Sequence, residues 1–266
     1  MFGGGRDARY AGRRVQPEAL RVSQESGLRR LGRRTAARAV KVYARGLGAV
    51  RRDSARAKRL DELTFWRIVK TREGRLDHGG LVHFFTAHFG LPVSHYEGKR
   101  ILDIGCGPRG SLEWADAAAE RVGLDPLVDS YRELGIEEHQ MTYAHAPAEQ
   151  IPFDNGHFDV VTAFNSLDHV DDLDRAIAEI TRVTKPGGLF LMIAEVNHKP
   201  TISEPQTFSW DIVDRFSGDW RAADVQRSER QSSGIYESLK AGIAYDDADP
   251  RERPAIISVR FERLER

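Results

Sequence analysis

Apolar and polar residues alternate along this chain with two different periods, and the period changes where the architecture is expected to change. Over "DELTFWRIVKTREG" (61–74) and "HGGLVHFFTAHFGL" (78–91) apolar residues recur every three to four positions, which predicts two helices. Their aromatic residues Phe65, Trp66, Phe84, Phe85 and Phe89 are expected in a core. From residue 98 short apolar runs predict strands at 100–104, 121–124, 141–145, 158–164 and 188–196. Helices are expected near 111–120, 128–135 and 171–183. Strand and helix in turn imply βαβ units around a parallel sheet, with ligands held beyond the carboxyl ends of its strands. The tail is different: "DWRAADVQRSER" (219–230) and "AIISVRFERLE" (255–265) alternate with period two, as an antiparallel pair does.

Composition adds a class and a boundary. Of the 266 residues 40% are apolar, and no apolar run reaches membrane length, so a globular protein without a transmembrane segment is expected. The glycine- and arginine-rich start lacks the apolar stretch of a secretory signal, and Cys106 is the single cysteine, so the expected setting is reducing and cytoplasmic. The net charge is zero, but residues 1–60 carry 17 Lys or Arg against 4 Asp or Glu, and the remainder 23 against 36. Three regions follow: a basic extension over 1–60, helical or disordered; a helical cap over 61–97; and the main domain over 98–266. The basic extension leaves nucleic acid as a minor partner. Nothing in the sequence speaks to oligomeric state.

The candidate chemistry begins at "ILDIGCGPRGSLEW" (101–114), where Gly105, Gly107 and Gly110 form a literal G-x-G-x-x-G between a strand and an expected helix. A dinucleotide would lay its pyrophosphate on this turn. Asp103, at the strand tip two residues before Gly105, would repel it: two unit charges a few Å apart interact by about 4 kcal/mol at an effective dielectric of 20. The same carboxylate suits a nucleoside carrying positive charge, as S-adenosylmethionine does with its ammonium and sulfonium groups. Asp125 in "RVGLDPL" ends the next strand, where a carboxylate can accept both ribose hydroxyls.

Four segments, "ILDIGCGPRG", "VGLDP", "AEQIPFDNGHFDVVTAFNSLDHVDD" and "ITRVTKPGGLFLMI", occur in the order and at the separations that resemble the class I S-adenosylmethionine-dependent methyltransferases, in particular the type 11-like group acting on small molecules. The resemblance covers roughly residues 98–200. It implies a Rossmann-like, doubly wound α/β fold with a seven-stranded sheet, mainly parallel with an antiparallel C-terminal strand. It further implies S-adenosylmethionine as cofactor, with Asp103, Gly105 and Gly107 at the methionine end, Asp125 on the ribose, Ala148 and Glu149 beside the adenine, and Asn165 facing the reaction centre. "KPGG" (185–188) would be the turn before the fifth strand. Two positions depart from the family pattern: Arg109 replaces the third glycine of the turn, and Pro147 stands where relatives often carry an aspartate.

The acceptor is expected to be a small metabolite methylated on oxygen or nitrogen. "FNSL" stands where methyltransferases of base or glutamine amino groups often carry Asn-Pro-Pro-Tyr, and no zinc-type cysteine cluster occurs. If the acceptor must lose a proton, His169 in "NSLDHVDD" and His198 in "EVNHKPTISEP" are the candidate bases. Glu195, His198 and Glu204 match no firm ligand spacing, so no metal is expected. Two alternatives stay open from sequence: a non-catalytic S-adenosylmethionine-binding regulatory protein, and an NAD-dependent dehydrogenase.

Overall fold

The computed structural model describes residues 54–78, 80–201 and 203–265. The expected basic extension, and with it any nucleic-acid contact, lies outside the described residues except for Ser54 to Leu60. Those seven open helix α1 (Ser54–Glu73), which therefore runs across the expected boundary at residue 60. No Gly or Pro interrupts α1, Lys70 and Arg72 face the negative end of its dipole, and Gly74 ends it at φ +80°, its N–H donating to the Lys70 carbonyl. Leu63, Trp66 and Val69, three apart, pack that face on Leu127, Tyr131, Leu134 and Ile136.

Seven strands form one sheet: β1 (Arg100–Ile104), β2 (Glu120–Leu124), β3 (Thr142–Ala144), β4 (Phe158–Phe164), β5 (Thr184–Val196), β6 (Trp220–Glu229) and β7 (Ala255–Arg263). Their order is β3-β2-β1-β4-β5-β7-β6. The first five pair in parallel, and β7 runs antiparallel to both β5 and β6, so the tail pair forms as its period-two pattern requires. In the middle strands successive residues go to opposite faces. Leu102, Val161, Phe190 and Met192 join one core, and Ile101, Val160, Leu191 and Ile193 the other. A sheet covered on both sides needs near-continuous apolar strands, and these sequences supply them. Lys185 to Gly188 form a bulge inside β5: Thr184 pairs with Phe158 and Leu189 with Val160.

Among the described residues four α-helices join α1. These are α2 (Val82–Phe85), α3 (Val128–Tyr131), α4 (Leu173–Val183) and α5 (Ile235–Ala241). In α4 the buried positions Leu173, Ala176, Ile177, Ile180 and Val183 make one stripe, and Asp172 caps it by accepting from the Arg175 N–H.

Three local expectations are corrected. The segment 111–119 forms consecutive turns, with Ala115 N–H donating to Leu112 and Ala118 N–H to Ala115; Leu112 and Ala115 are buried there and the Trp114 ring packs on Phe85 and Tyr96. The segment 78–91 gives only α2 and one 3-10 turn, Ala87–Phe89, parted at Thr86. Phe84 and Phe85 of α2 and Phe89 of the turn are buried in one core cluster. Among the five aromatics expected in a core, Phe65 is exposed on α1.

Candidate functional site

Sequence neighbours of β1 lie on opposite sides of it, β2 on one and β4 on the other, so the strand order reverses there and a crevice opens beyond the carboxyl ends of β1 and β4. A cavity of about 400 Å³ occupies that crevice. Its wall includes Gly105, Asp125, Ala148, Glu149, Asn165 and His169, six of the residues singled out from sequence.

The turn after β1 is built for close approach. Gly105 has φ +68°, its N–H donates to the Leu124 carbonyl at 2.8 Å, and a Cβ there would stand 2.3 Å from the Ser166 Cβ. Ser166 is itself fixed, its hydroxyl donating to the Ile104 carbonyl at 2.8 Å. Gly107, at φ +57°, would bring a Cβ to 3.0 Å from the Trp66 ring of α1, so the glycine turn is roofed by that helix. Asn165, at φ +52°, ends β4 in the left-handed region and hydrogen-bonds the Ile193 carbonyl. A non-glycine residue held there signals a turn fixed by its surroundings.

Asp125 is 7% exposed and accepts two backbone hydrogen bonds, from Gly107 at 3.2 Å and Leu127 at 2.8 Å. Burial pushes its carboxyl up to about 7, with Glu62 adding to the rise and the two N–H donors opposing it. A carboxylate offers about four lone-pair positions, so two remain for a ligand.

Asp103 is a correction. It does not line the cavity. It is 4% exposed, and its oxygens accept from the Ser111 hydroxyl and, at 2.6 Å, from the Thr162 hydroxyl. Burial raises it to about 6 against the opposing pull of these hydroxyls. It supports the turn from behind. Gly107 likewise stays out of the wall and acts through its N–H on Asp125.

His169 lines the cavity, whereas His198 does not. The His198 ring has Nδ1 3.1 Å from the Lys199 carbonyl and Nε2 buried without a partner. Beside His169 stands Asp168, 2% exposed, whose Oδ1 is 3.8 Å from His169 Nε2 and makes no hydrogen bond. Burial raises the Asp168 carboxyl, His169 and His198 pull it down, and Glu204 pushes it up. Glu149 is committed to structure as well: its Oε1 accepts from the N–H groups of Asp171 and Asp172, which holds the loop carrying His169 against the start of α4.

Sequence reasoning missed the contribution of α1. Lys58, Arg59 and Glu62 line the cavity. Lys58 Nζ donates to the His169 carbonyl and lies 3.3 Å from Asp171. Arg109, the departure in the turn, grips Glu73 through two contacts at 2.9 and 3.0 Å, donates to the Asp77 carbonyl, and sits 5.5 Å over the Trp66 ring. The signal was present in the 58, 59, 62 spacing, one helical face, but Lys58 and Arg59 sat inside the charge run assigned to the extension and Glu62 in the segment assigned to the cap.

A mainly parallel seven-stranded sheet with one reversed strand, a glycine turn after β1 and an acid after β2 facing one crevice define the Rossmann-like class of methyltransferase folds. A methyltransferase-domain family matches residues 102–192, and over that segment the chain is similar to the class I S-adenosylmethionine-dependent methyltransferases, whose cofactor is S-adenosylmethionine. The chain is similar to the ubiquinone/menaquinone biosynthesis C-methyltransferase UbiE of Pseudomonas paraeruginosa, 33% identical over 130 residues, covering 43% of this chain and 49% of the relative. It is also similar to the malonyl-acyl-carrier-protein O-methyltransferase of Pseudescherichia vulneris, 29% identical over 158 residues, covering 56% and 59%. A solved structure of a candidate methyltransferase from Bacillus halodurans aligns with a TM-score of 0.51 at 15% identity over 70% of this chain and 99% of that one, a likeness of fold. The chain spans about half the length of the curated relatives it matches. The family leaves the dehydrogenase alternative without support.

Proposed function

We propose that this chain is an S-adenosylmethionine-dependent methyltransferase acting on a small-molecule acceptor, with the methyl group delivered to oxygen or nitrogen. The observation that carries this is the convergence of Gly105, Asp125, Ala148, Asn165 and His169 on one cavity at the switch point of the sheet. Its volume of about 400 Å³ lies within the range of pockets that enclose nucleoside-sized ligands. A backbone without Cβ at Gly105 allows close contact, and Asp125 keeps acceptor positions for a pair of ribose hydroxyls.

When bound, the cofactor supplies a methyl group on a sulfonium, which transfers by in-line displacement with loss of the positive charge. The chain's part is then to hold and to exclude water. Asp125 orients the sugar, Ala148 and the Glu149 backbone border the base, and Leu124 and Ala146 give the apolar wall. Asn165 stands at the tip of β4 towards the donor group. His169 is the acceptor-side group. Lys58, Arg59 and Glu62 close the site from α1.

A second reading, methylation at carbon, is favoured by the relative described as a C-methyltransferase. Both readings meet one experiment: incubate the chain with methyl-labelled cofactor and a metabolite extract, follow the label by mass spectrometry, and fragment the product to find the labelled atom. Transfer to oxygen or nitrogen is the expected result, and His169→Ala should lower turnover far more than it lowers affinity for S-adenosylhomocysteine. Tight cofactor binding with no label moved from any extract would make the chain a binding protein instead.

A further inference from the structure

At the edge of the cavity the turn after β4 and the loop after β5 bring three ligating side chains together, of which methyl transfer uses only His169. Asp168, His169 and Glu204 each offer one donor atom, and the three atoms lie within 4.8 Å of one another. The approach is enforced by Gln206, whose N–H donates to the Asp168 carbonyl at 3.1 Å and whose side chain donates to the Val170 carbonyl at 3.2 Å, so that Glu204 is held opposite the turn. Two carboxylates drawn together repel each other. A proton or a cation between them relieves this.

An independent sign is the Asp168 side chain itself. It is 2% exposed, and its Oδ1, the oxygen on the His169 side, is sealed from solvent with no hydrogen bond. Buried carboxylates are ordinarily hydrogen-bonded, paired at close range or bound to a metal. The neighbouring imidazole at 3.8 Å is too far for a hydrogen bond. We propose that Asp168, His169 and Glu204 form a binding site for one divalent cation of the manganese or zinc type. Two carboxylate oxygens and an imidazole nitrogen are the donor set such ions take, and the nitrogen disfavours magnesium and calcium. Ligands about 2.0–2.2 Å from one ion stand about 3–4 Å apart at the usual coordination angles, so the cluster would close by up to about 1.5 Å on binding.

Three protein ligands leave coordination positions open. His169 also lines the cavity, which puts the ion at its edge, within reach of an acceptor oxygen whose negative charge it would stabilise. That use at an acceptor rests on the methyl-transfer reading. Binding of the ion does not. The site differs from the Glu195, His198 and Glu204 set weighed from sequence, because Glu195 is taken by Arg230 at 2.5 Å.

The test uses the full chain, stripped with chelator and titrated with manganese while the free ion is followed by electron paramagnetic resonance, and with zinc by calorimetry. One equivalent per chain is expected. Glu204→Gln, on a partly exposed loop, and Asp168→Asn should each weaken binding at least tenfold, with calorimetric binding of S-adenosylhomocysteine retained as proof of fold. No saturable binding of either ion by the unmodified chain, or binding unchanged in Glu204→Gln, overturns the site. If the ion binds as stated and no methyl transfer is found, the site stands and the reading of the activity falls.

Discussion

Gly105 has no room for a side chain. At φ +68° an alanine is strained, and its Cβ would meet the Ser166 Cβ at 2.3 Å, while Ser166 is tied to the Ile104 carbonyl and cannot yield freely. Gly105→Ala should therefore destabilise the chain by about 2–5 kcal/mol and abolish measurable binding of S-adenosylhomocysteine, read by urea unfolding and calorimetry. Wild-type stability and affinity in this variant would mean that the turn is not held as described. Asp103 allows a test of sign. Its carboxyl is raised from the ordinary 3.8 to about 6, so the folded chain holds that proton more tightly than the unfolded one. The resulting stability is fully present below about pH 4 and is lost as pH rises through about 6. Asp103→Asn removes the charge, and the Ser111 and Thr162 hydroxyls can turn to suit the amide. Unfolding free energies at pH 5 and pH 8 should differ less in Asp103→Asn than in the unmodified chain, by about 1–3 kcal/mol; equal slopes would refute the assignment.

At the scale of elements, α1 is the part that sequence reading understood least and the site depends on most. The strands of the sheet were legible because burial on both faces demands runs such as "FDVVTAF" and "LFLMIAEV", and the tail pair because period two survives in "AIISVRF". The glycine turn and Asp125 were legible because both follow strands at fixed separations. Asp103 was misread for a physical reason: spacing gives a carboxylate's position along the chain, whereas its partners, Ser111 and Thr162, come from other elements. The same holds for the Asp168, His169 and Glu204 cluster, whose members are joined by the fold and separated by the sequence. Arg109 was a departure from pattern until its partner Glu73 on α1 was known. That pair, partly exposed, together with the Trp66 ring, is worth about 1 kcal/mol. Arg109→Ala should accordingly loosen α1, with cleavage between Ser54 and Glu73 by a nonspecific protease and the dissociation constant for S-adenosylhomocysteine each rising severalfold. If neither changes, α1 does not close the cavity.

For the whole molecule, the cavity links ligand choice to stability. Every wall residue from β1, β2, β4 and α1 meets a ligand in the folded state alone, so binding must raise the free energy of unfolding by an amount set by concentration over dissociation constant, about 2.7 kcal/mol at a hundredfold excess. For a domain of this size each kcal/mol moves the melting temperature by about 2–4 °C. S-adenosylhomocysteine at saturating concentration should thus raise the melting temperature by about 5–10 °C, and NAD at the same concentration should leave it unmoved, because the Trp66 ring roofs the glycine turn on which a pyrophosphate would lie. Asp125→Ala separates this from nonspecific stabilisation. It removes the carboxylate that Gly107 and Leu127 orient, so its melting temperature should no longer respond to S-adenosylhomocysteine even though the fold persists. An equal shift in Asp125→Ala, or a shift with NAD, would place the nucleoside somewhere other than the crevice between β1 and β4 and remove the basis for the proposed chemistry.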